Sequence, residues 1–356
     1  MTKKSSPLVL FLLLSACRPN LDQVLESQLG EAISPTDPGF AVLVLQDSTV
    51  LFERCSGLAD LESSAPIQSG TNFRLASVTK QFTASAVLLL AADGSLRLDQ
   101  TLTEFFPKFP AYGSKVTLRH LLTHTSGVPD YEELMSDTAT VPVLDRDVLS
   151  LLVTQERPLF PPGSRFQYSN SGYVLLGLVV EKVSGLRFAD FLKERIFRKL
   201  GMSSTVAFEN GISSVPNRAF GYTPDTAVVG GFRRTDQSLT SSTLGDGGVY
   251  SSLEDLRIWA AEPGRPRVLD EELLGEAIST QVPTNREGES YGYGYYITQR
   301  AGARFIRHSG TTVGFRTELQ RYPDLGLTVI VLANRVDIDA TGIAFALADR
   351  VLAQRD

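Results

Sequence analysis

Ser77-Val78-Thr79-Lys80 places a hydroxyl and an amine three residues apart, so on a helix both lie on one face. A serine hydroxyl is a poor nucleophile at neutral pH. A neighbouring amine, desolvated enough to lose its proton, acts as a base and activates it. Only eight of the 34 basic residues are Lys, and no other Ser-x-x-Lys pair occurs in the chain. The apolar run Ala84 to Ala92 follows directly, which predicts that the helix bearing Ser77 is buried in the core.

Two downstream elements fit the same chemistry. Tyr168-Ser169-Asn170 follows the loop signal Pro161-Pro162-Gly163 and precedes an apolar helix. A buried Lys cation beside Tyr168 would lower the phenol pKa and make it a proton shuttle to a leaving group. Asn170 offers an amide to orient an acyl carbonyl, although Ser-Asn also reads as a plain helix cap. His308-Ser309-Gly310-Thr311 ends a strand. Gly310 lets a substrate approach the strand edge, and the N–H after it would face that of Ser77 across an acyl oxygen as an oxyanion hole. The three elements together point to nucleophilic acyl transfer or hydrolysis. His120 and His124 stand four apart, a spacing that can hold a metal on a helix. Leu121 follows the first His where the zinc-protease pattern has Glu, so no metal is expected.

The elements that must position these groups alternate between strands and helices. Asn20 to Ile33 reads as an amphipathic helix, broken by Ser34-Pro35-Thr36-Asp37-Pro38-Gly39. Phe40 to Gln46 and Val50 to Cys55 read as a hairpin that packs this helix on one sheet face. From Ser77 to about Lys199 the pattern is mainly helical, with helices at Leu118 to Leu122, Val148 to Thr154, Tyr173 to Val183 and Phe188 to Leu200. Ser251-Ser252-Leu253-Glu254-Asp255 is a capped helix start leading to Trp259. Strands return at Tyr291 to Gln299, Arg304 to His308, Phe315 to Tyr322 and Leu327 to Ala333, and Ile338 to Ala353 closes as a helix. An early hairpin and late strands imply one antiparallel sheet, split in sequence by a helical insertion.

The 356 residues, 42% hydrophobic and 21% charged, are globular in composition. A net charge of −6, with no basic stripe, argues against nucleic acid as a partner. Lys3 and Lys4 followed by the apolar run Leu8 to Leu14 form a leader too short to span a bilayer as a mature helix. It ends in Leu14-Ser15-Ala16-Cys17, which resembles the bacterial lipoprotein cleavage box, so residues 1–16 read as a signal peptide and Cys17 as the lipidated first residue. Arg18, rather than Asp, follows it, which favours an outer membrane anchor facing the periplasm. Cys55 then has no thiol partner in the chain and reads as a buried strand cysteine.

In this order, the three elements resemble the serine β-lactamase and penicillin-binding protein superfamily. The most similar branch holds class C β-lactamases, D-alanyl-D-alanine carboxypeptidases and their esterase relatives. Leu121-Leu122-Thr123-His124-Thr125-Ser126-Gly127-Val128-Pro129-Asp130, Gly245-Asp246-Gly247-Gly248-Val249-Tyr250-Ser251-Ser252 and His308-Ser309-Gly310-Thr311-Thr312-Val313-Gly314-Phe315 share that likeness, which runs from about Phe40 to Ala353. The resemblance implies an α+β, β-lactamase/transpeptidase-like fold: an antiparallel sheet flanked by helices, with an inserted, mostly helical domain. The expected boundaries are 17–38 for the N-terminal segment and helix, 39–76 with 245–356 for the sheet domain, and 77–244 for the helical domain.

By the same resemblance Ser77 is the acylated nucleophile, Lys80 its basic neighbour and Tyr168 general base and then acid. Asn170 is a substrate contact, His308 and Gly310 line the edge strand, and the N–H groups of Ser77 and Thr311 form the oxyanion hole. No cofactor is implied. The substrate is a small molecule or peptide. Which of Lys80 and Tyr168 is the base in acylation stays open, as does the choice among ester, β-lactam and D-amino-acid peptide. A member that traps an acyl ligand without turnover is the alternative outside the enzymes. One departure matters. Class C β-lactamases carry Lys where this chain has His308, and a mostly neutral histidine favours a less anionic substrate.

Overall fold

The computed structural model describes residues 20–29, 34–262 and 266–354. The leader and Cys17 lie outside the described residues, as does the segment that would carry the first helix on to Ile33. Within them the chain opens with helix α1 (Leu21–Leu29) and the hairpin β1 (Phe40–Gln46) and β2 (Thr49–Ser56), close to the ranges expected from the apolar runs. The late strands are β3 (Val282–Pro283), β4 (Ser290–Tyr291), β5 (Tyr296–Arg300), β6 (Ala303–Thr312), β7 (Phe315–Tyr322) and β8 (Leu327–Ala333). They join the early hairpin in one eight-stranded antiparallel sheet of order β3-β4-β5-β6-β7-β8-β1-β2. The first hairpin is thus stitched to the last strand, with the register Phe40↔Ala333 to Gln46↔Leu327.

Alternation along β1 sorts its side chains onto two cores. Phe40, Val42 and Val44 face one side with Val329 and Val331, where they meet Leu21 and Leu25 of α1 and Ile343 and Leu347 of the last helix, α6 (Ala340–Leu352). Ala41, Leu43 and Leu45 face the other side with Ile330 and Leu332. There they join a larger core shared with α2 (Lys80–Ala92), α3 (Leu118–Leu122) and α4 (Asn170–Ser184). Strand β1 is apolar on both faces because helices cover both. Helix α5 (Leu253–Ala260) starts at Ser252, whose hydroxyl accepts the Asp255 N–H at 3.2 Å. Its Trp259 lies against Phe82 of α2, ring centroids 4.5 Å apart, and donates Nε1–H to Gln81 Oε1 at 2.8 Å. The head of α2 is therefore fixed against the sheet core.

Three expectations need correcting. Ser77 is not on an α-helix. It sits in a 3-10 turn, Ala76–Thr79, and α2 begins at Lys80. Side chains at i and i+3 eclipse in a 3-10 turn, so the hydroxyl and amine still stack. The segment Tyr291 to Gln299 is not one strand but the hairpin β4–β5, with Ser290↔Ile297 and Tyr291↔Tyr296 paired. Alternating Gly and Tyr imitate a strand pattern there, yet Gly294 takes φ +82°, and a Cβ on it would lie 2.8 Å from the Lys80 carbonyl oxygen. The turn needs glycine because it presses on the first residue of α2. Last, β6 is an inner strand of the sheet. It is an edge only beyond Arg307, where its ladder with β5 ends, so His308 to Thr312 pair with β7 alone.

Candidate active site

The site is assembled at the turn before α2. Ala76 occupies the left-handed region at φ +48°, a conformation that costs a non-glycine residue about 1–2 kcal/mol. The surroundings hold it there. Leu75 donates its N–H to the Val249 carbonyl at 2.9 Å, and its own carbonyl accepts the Thr317 hydroxyl of β7 at 2.8 Å. Gly310 of β6 lies so close that a Cβ on it would stand 2.1 Å from the Leu75 oxygen. Absence of a side chain at 310 brings the Gly310–Thr311 segment alongside the turn that carries Ser77. Thr311 itself is exposed, and Ser77 is half-buried.

Lys80 is fully buried. Its Nζ stands 3.2 Å from Ser77 Oγ, 2.8 Å from Asn170 Oδ1 and 2.9 Å from the Asp246 carbonyl oxygen. Burial pushes its pKa down to about 8, against the opposing pull of Asp246, Asp130 and Glu132. Once neutral, the amine has two N–H groups for the two acceptors that cannot donate, Asn170 Oδ1 and the Asp246 carbonyl. Its lone pair is then left facing the one partner that can donate, the Ser77 hydroxyl.

The Tyr168 ring lies beside the Lys80 amine, which stands 4.9 Å from its centre, and the Ser77 hydroxyl is among the groups that act on its phenol. The expected lowering of its pKa does not occur. Burial raises it well above the ordinary phenol value, and the carboxylates of Asp246, Asp130 and Glu132 raise it further, outweighing the hydrogen bond from Ser77.

Asn170 opens α4. Its N–H donates to Asp130 Oδ2 at 2.6 Å and its side-chain amide to Glu132 Oε1 at 3.1 Å, while Oδ1 accepts from Lys80. The amide is thus oriented by Glu132 towards the lysine.

His308 is placed differently from the lining role expected of it. It is buried, with Nδ1 2.8 Å from the Ser309 carbonyl and Nε2 3.1 Å from the Tyr291 hydroxyl. A carbonyl can only accept, so Nδ1 carries the proton and Nε2 accepts from Tyr291. Burial and the charge of Lys80 push its pKa down to about 3, so the ring is neutral. Position 308 supplies no cation.

Asp246, Asp130, Glu132 and His124 were not assigned roles from the sequence, although all but Glu132 fall within stretches that carried the family likeness. Asp246 is buried in the loop beside the turn that carries Ser77, where its carboxylate accepts the Tyr131 hydroxyl at 3.2 Å. Beneath that loop Asp145 accepts the N–H groups of Leu244 and Gly245, and burial beside Asp246 lifts its pKa to about 7. His120 accepts the Thr117 N–H and His124 the Ser169 N–H, so the two rings serve separate segments. Among the described residues no group of three or more His, Cys, Asp or Glu is placed to hold a metal ion. Cys55 is half-buried on β2 and its thiol is pushed up to about 11 by burial and by Glu53 and Glu254, which leaves it unreactive at neutral pH.

The family model described as Beta-lactamase matches residues 29–352. Penicillin-binding protein 4* of Bacillus subtilis is 31% identical over 307 residues, covering 83% of this chain and 67% of its own length. D-aminopeptidase of Cereibacter sphaeroides is 30% identical over 302 residues, covering 83% of this chain. The chain spans only 57% of that enzyme. Among solved structures, a penicillin-binding protein from Bacillus halodurans superposes with TM-score 0.78 at 30% identity, over 94% of this chain and 98% of that one. The octameric penicillin-binding protein homologue of Pyrococcus abyssi gives TM-score 0.80 at 27% identity, over 94% of this chain and 76% of that one. The antiparallel sheet, the flanking helices and the match along nearly the whole sequence agree: the chain belongs to the β-lactamase family of serine hydrolases.

Proposed function

We propose that the protein hydrolyses an ester or amide through an acyl-enzyme on Ser77, with Lys80 as the base in acylation. The carrying observation is the Lys80 amine, whose two fixed acceptors leave its lone pair on the Ser77 hydroxyl. With a pKa of about 8, a useful fraction is neutral near pH 7, whereas the raised pKa of Tyr168 keeps that phenol protonated. Ser77 Oγ attacks the carbonyl carbon as its proton passes to Lys80. The N–H groups of Ser77 and Thr311 take the oxyanion. As the carbon–leaving-group bond breaks, the Tyr168 phenol gives its proton to the departing amine or alkoxide and is reprotonated from Lys80. Water then attacks the acyl ester, losing its proton along the same route, and Ser77 Oγ leaves with a proton.

The substrate class follows from charge. Asp130, Glu132 and Asp246 surround the nucleophile, and His308 is neutral. This favours a neutral or amine-bearing acyl group over one with a carboxylate near position 308. The similarity to D-aminopeptidase and penicillin-binding protein 4* supports D-amino-acid amides and peptides ahead of β-lactams. A fluorophosphonate probe is expected to attach to Ser77 in the wild type and not in Ser77→Ala; a wild type that takes up none contradicts the covalent route. Rates on nitrocefin, a short-chain nitrophenyl ester, a D-amino-acid amide and a D-Ala-D-Ala peptide rank the substrates. A single stoichiometric burst on all four would instead favour an acyl trap.

The motif Leu14-Ser15-Ala16-Cys17 supports export as a lipoprotein held at a bacterial outer membrane through Cys17. Expressed in a bacterium, Cys17→Ala should move the protein from the membrane to the soluble fraction. If the distribution is unchanged, the anchor is wrongly placed.

A further inference from the structure

The structure assigns His124 a positioning role: it grips the backbone on both sides of Tyr168 and so aims the phenol at the Ser77 hydroxyl. The inference rests on the hydrolase reading above. Tyr168 lies in the irregular segment between Pro161 and α4, where no ladder or helix fixes its neighbours. His124 does so instead. Its carbonyl accepts the Gln167 N–H at 2.8 Å, and its ring Nδ1 accepts the Ser169 N–H at 3.1 Å. Between those two bonds its ring lies along the Tyr168 ring, centroids 4.3 Å apart and planes inclined by 31°. Tyr173 and Tyr291 close in on the imidazole at 5.1 and 4.8 Å, so the ring cannot swing away.

Two costs are concentrated at this residue. His124 holds a left-handed backbone at φ +56°, and its Nε2 is buried with no hydrogen-bond partner. Because Nδ1 must accept from Ser169, Nε2 carries the proton, and a buried donor left unpaired is destabilising. A residue that only filled space would need neither. Holding a short segment by an acceptor on its ring and one on its own backbone needs both, since the left-handed turn is what points carbonyl and ring at the same strip of chain. Burial, with the charge of Lys80, keeps the ring neutral and the Nδ1 acceptor available.

The test is a double-mutant cycle with the ester substrate and a crystal structure. His124→Leu keeps bulk but removes the Nδ1 acceptor; His124→Asn keeps an acceptor and tolerates the left-handed backbone. Loss of aim by about 1 Å lowers kcat by about 10²-fold, so His124→Leu is expected to show that drop with KM little changed, and His124→Asn to recover most of it. In a Tyr168→Phe background the same substitutions should cost almost nothing. If they cost as much there as in the wild type, His124 acts through the fold rather than through Tyr168, and the proposal is overturned. Should His124→Leu fail to fold, His124→Gly, which also removes the Nδ1 acceptor and tolerates the left-handed backbone, replaces it in the cycle with Tyr168→Phe on the same criterion. Independently of activity, the crystal structure of His124→Leu should show the Tyr168 hydroxyl displaced from its wild-type position; an unmoved phenol rejects the role. Failure of the hydrolase reading would register separately, as a wild type that does not take up the fluorophosphonate.

Discussion

The side-chain nitrogen of Lys80 and the backbone carbonyl of Asp246 meet at 2.9 Å across 166 residues of sequence. That contact, with the one from Asn170, decides the direction of the amine lone pair. Thr83 and Thr79 reinforce it, accepting or donating along the same loop: Thr83 Oγ1 donates to the Gly245 carbonyl at 2.6 Å, and the Val249 N–H donates to Thr79 Oγ1 at 3.1 Å. Lys80 and the loop that orients its amine are therefore tied together at the start of α2.

The pH dependence of kcat/KM should report Lys80. The amine acts when neutral, and burial has lowered its pKa to about 8. Activity on a neutral ester should rise with pH through about 8 and level off above it. Lys80→Met should remove that limb and lower kcat by about 10²–10⁴-fold. A wild-type profile that falls over the same range would assign the working base elsewhere.

Asp246→Asn should move this limb to lower pH. The Asp246 carboxylate favours the charged lysine, so its removal lowers the Lys80 pKa further, while the backbone carbonyl stays in place. The midpoint measured on the same ester checks the sign. An unmoved or upward-shifted midpoint would show that the carboxylate does not act on the amine.

Gly310→Ala should be poorly tolerated. Its Cβ would stand 2.1 Å from the Leu75 carbonyl oxygen and 2.3 Å from Thr317 Oγ1, and a backbone carbonyl in a pinned turn cannot swing aside. A loss of about 1–3 kcal/mol in urea unfolding, with a fall in activity, is expected. Gly275→Ala is the control. It lies in the helix Glu271–Ala277 with nothing within 4 Å of the added carbon, and should be neutral or slightly stabilising. Equal effects at both positions would contradict the packing argument.

Acid should unfold the protein partly through His308. Its pKa is about 3 when folded against 6.5 as the ordinary value, so the unfolded chain binds the proton first. Its contribution to stability is complete above about pH 6.5 and falls with decreasing pH towards about 3, by at most about 1.4 kcal/mol per unit. His124, also held neutral, adds a loss of the same sign. Urea midpoints near neutral pH and near pH 5 should fall less for His308→Gln than for the wild type. An identical fall would mean that the ring is not the group titrating.

Much of the architecture was legible in local pattern. The strands Phe40–Gln46, Phe315–Tyr322 and Leu327–Ala333 and the helix Leu118–Leu122 fall where the apolar runs put them, because burial on fixed faces leaves a period in the sequence. The segment Tyr291 to Gln299 reads as one strand where a hairpin stands, because Gly294 serves contact with α2 and Gly292 contact with the Ala277 carbonyl rather than strand geometry, and no local pattern records a distant neighbour.

Ser77 and Lys80 stand out as candidate chemistry by residue type and spacing, and Tyr168 joins them through the family resemblance. Tertiary structure alone decided how they are tuned. A phenol expected to be acidified by a cation is instead held protonated by burial, and a histidine already expected to be mostly neutral is buried against the Tyr291 hydroxyl. Side-chain type and local spacing are properties of the covalent chain. Desolvation, and the carboxylates of Asp130, Glu132 and Asp246 around the amine, exist only once distant segments have closed over one another, and they set which group holds the proton.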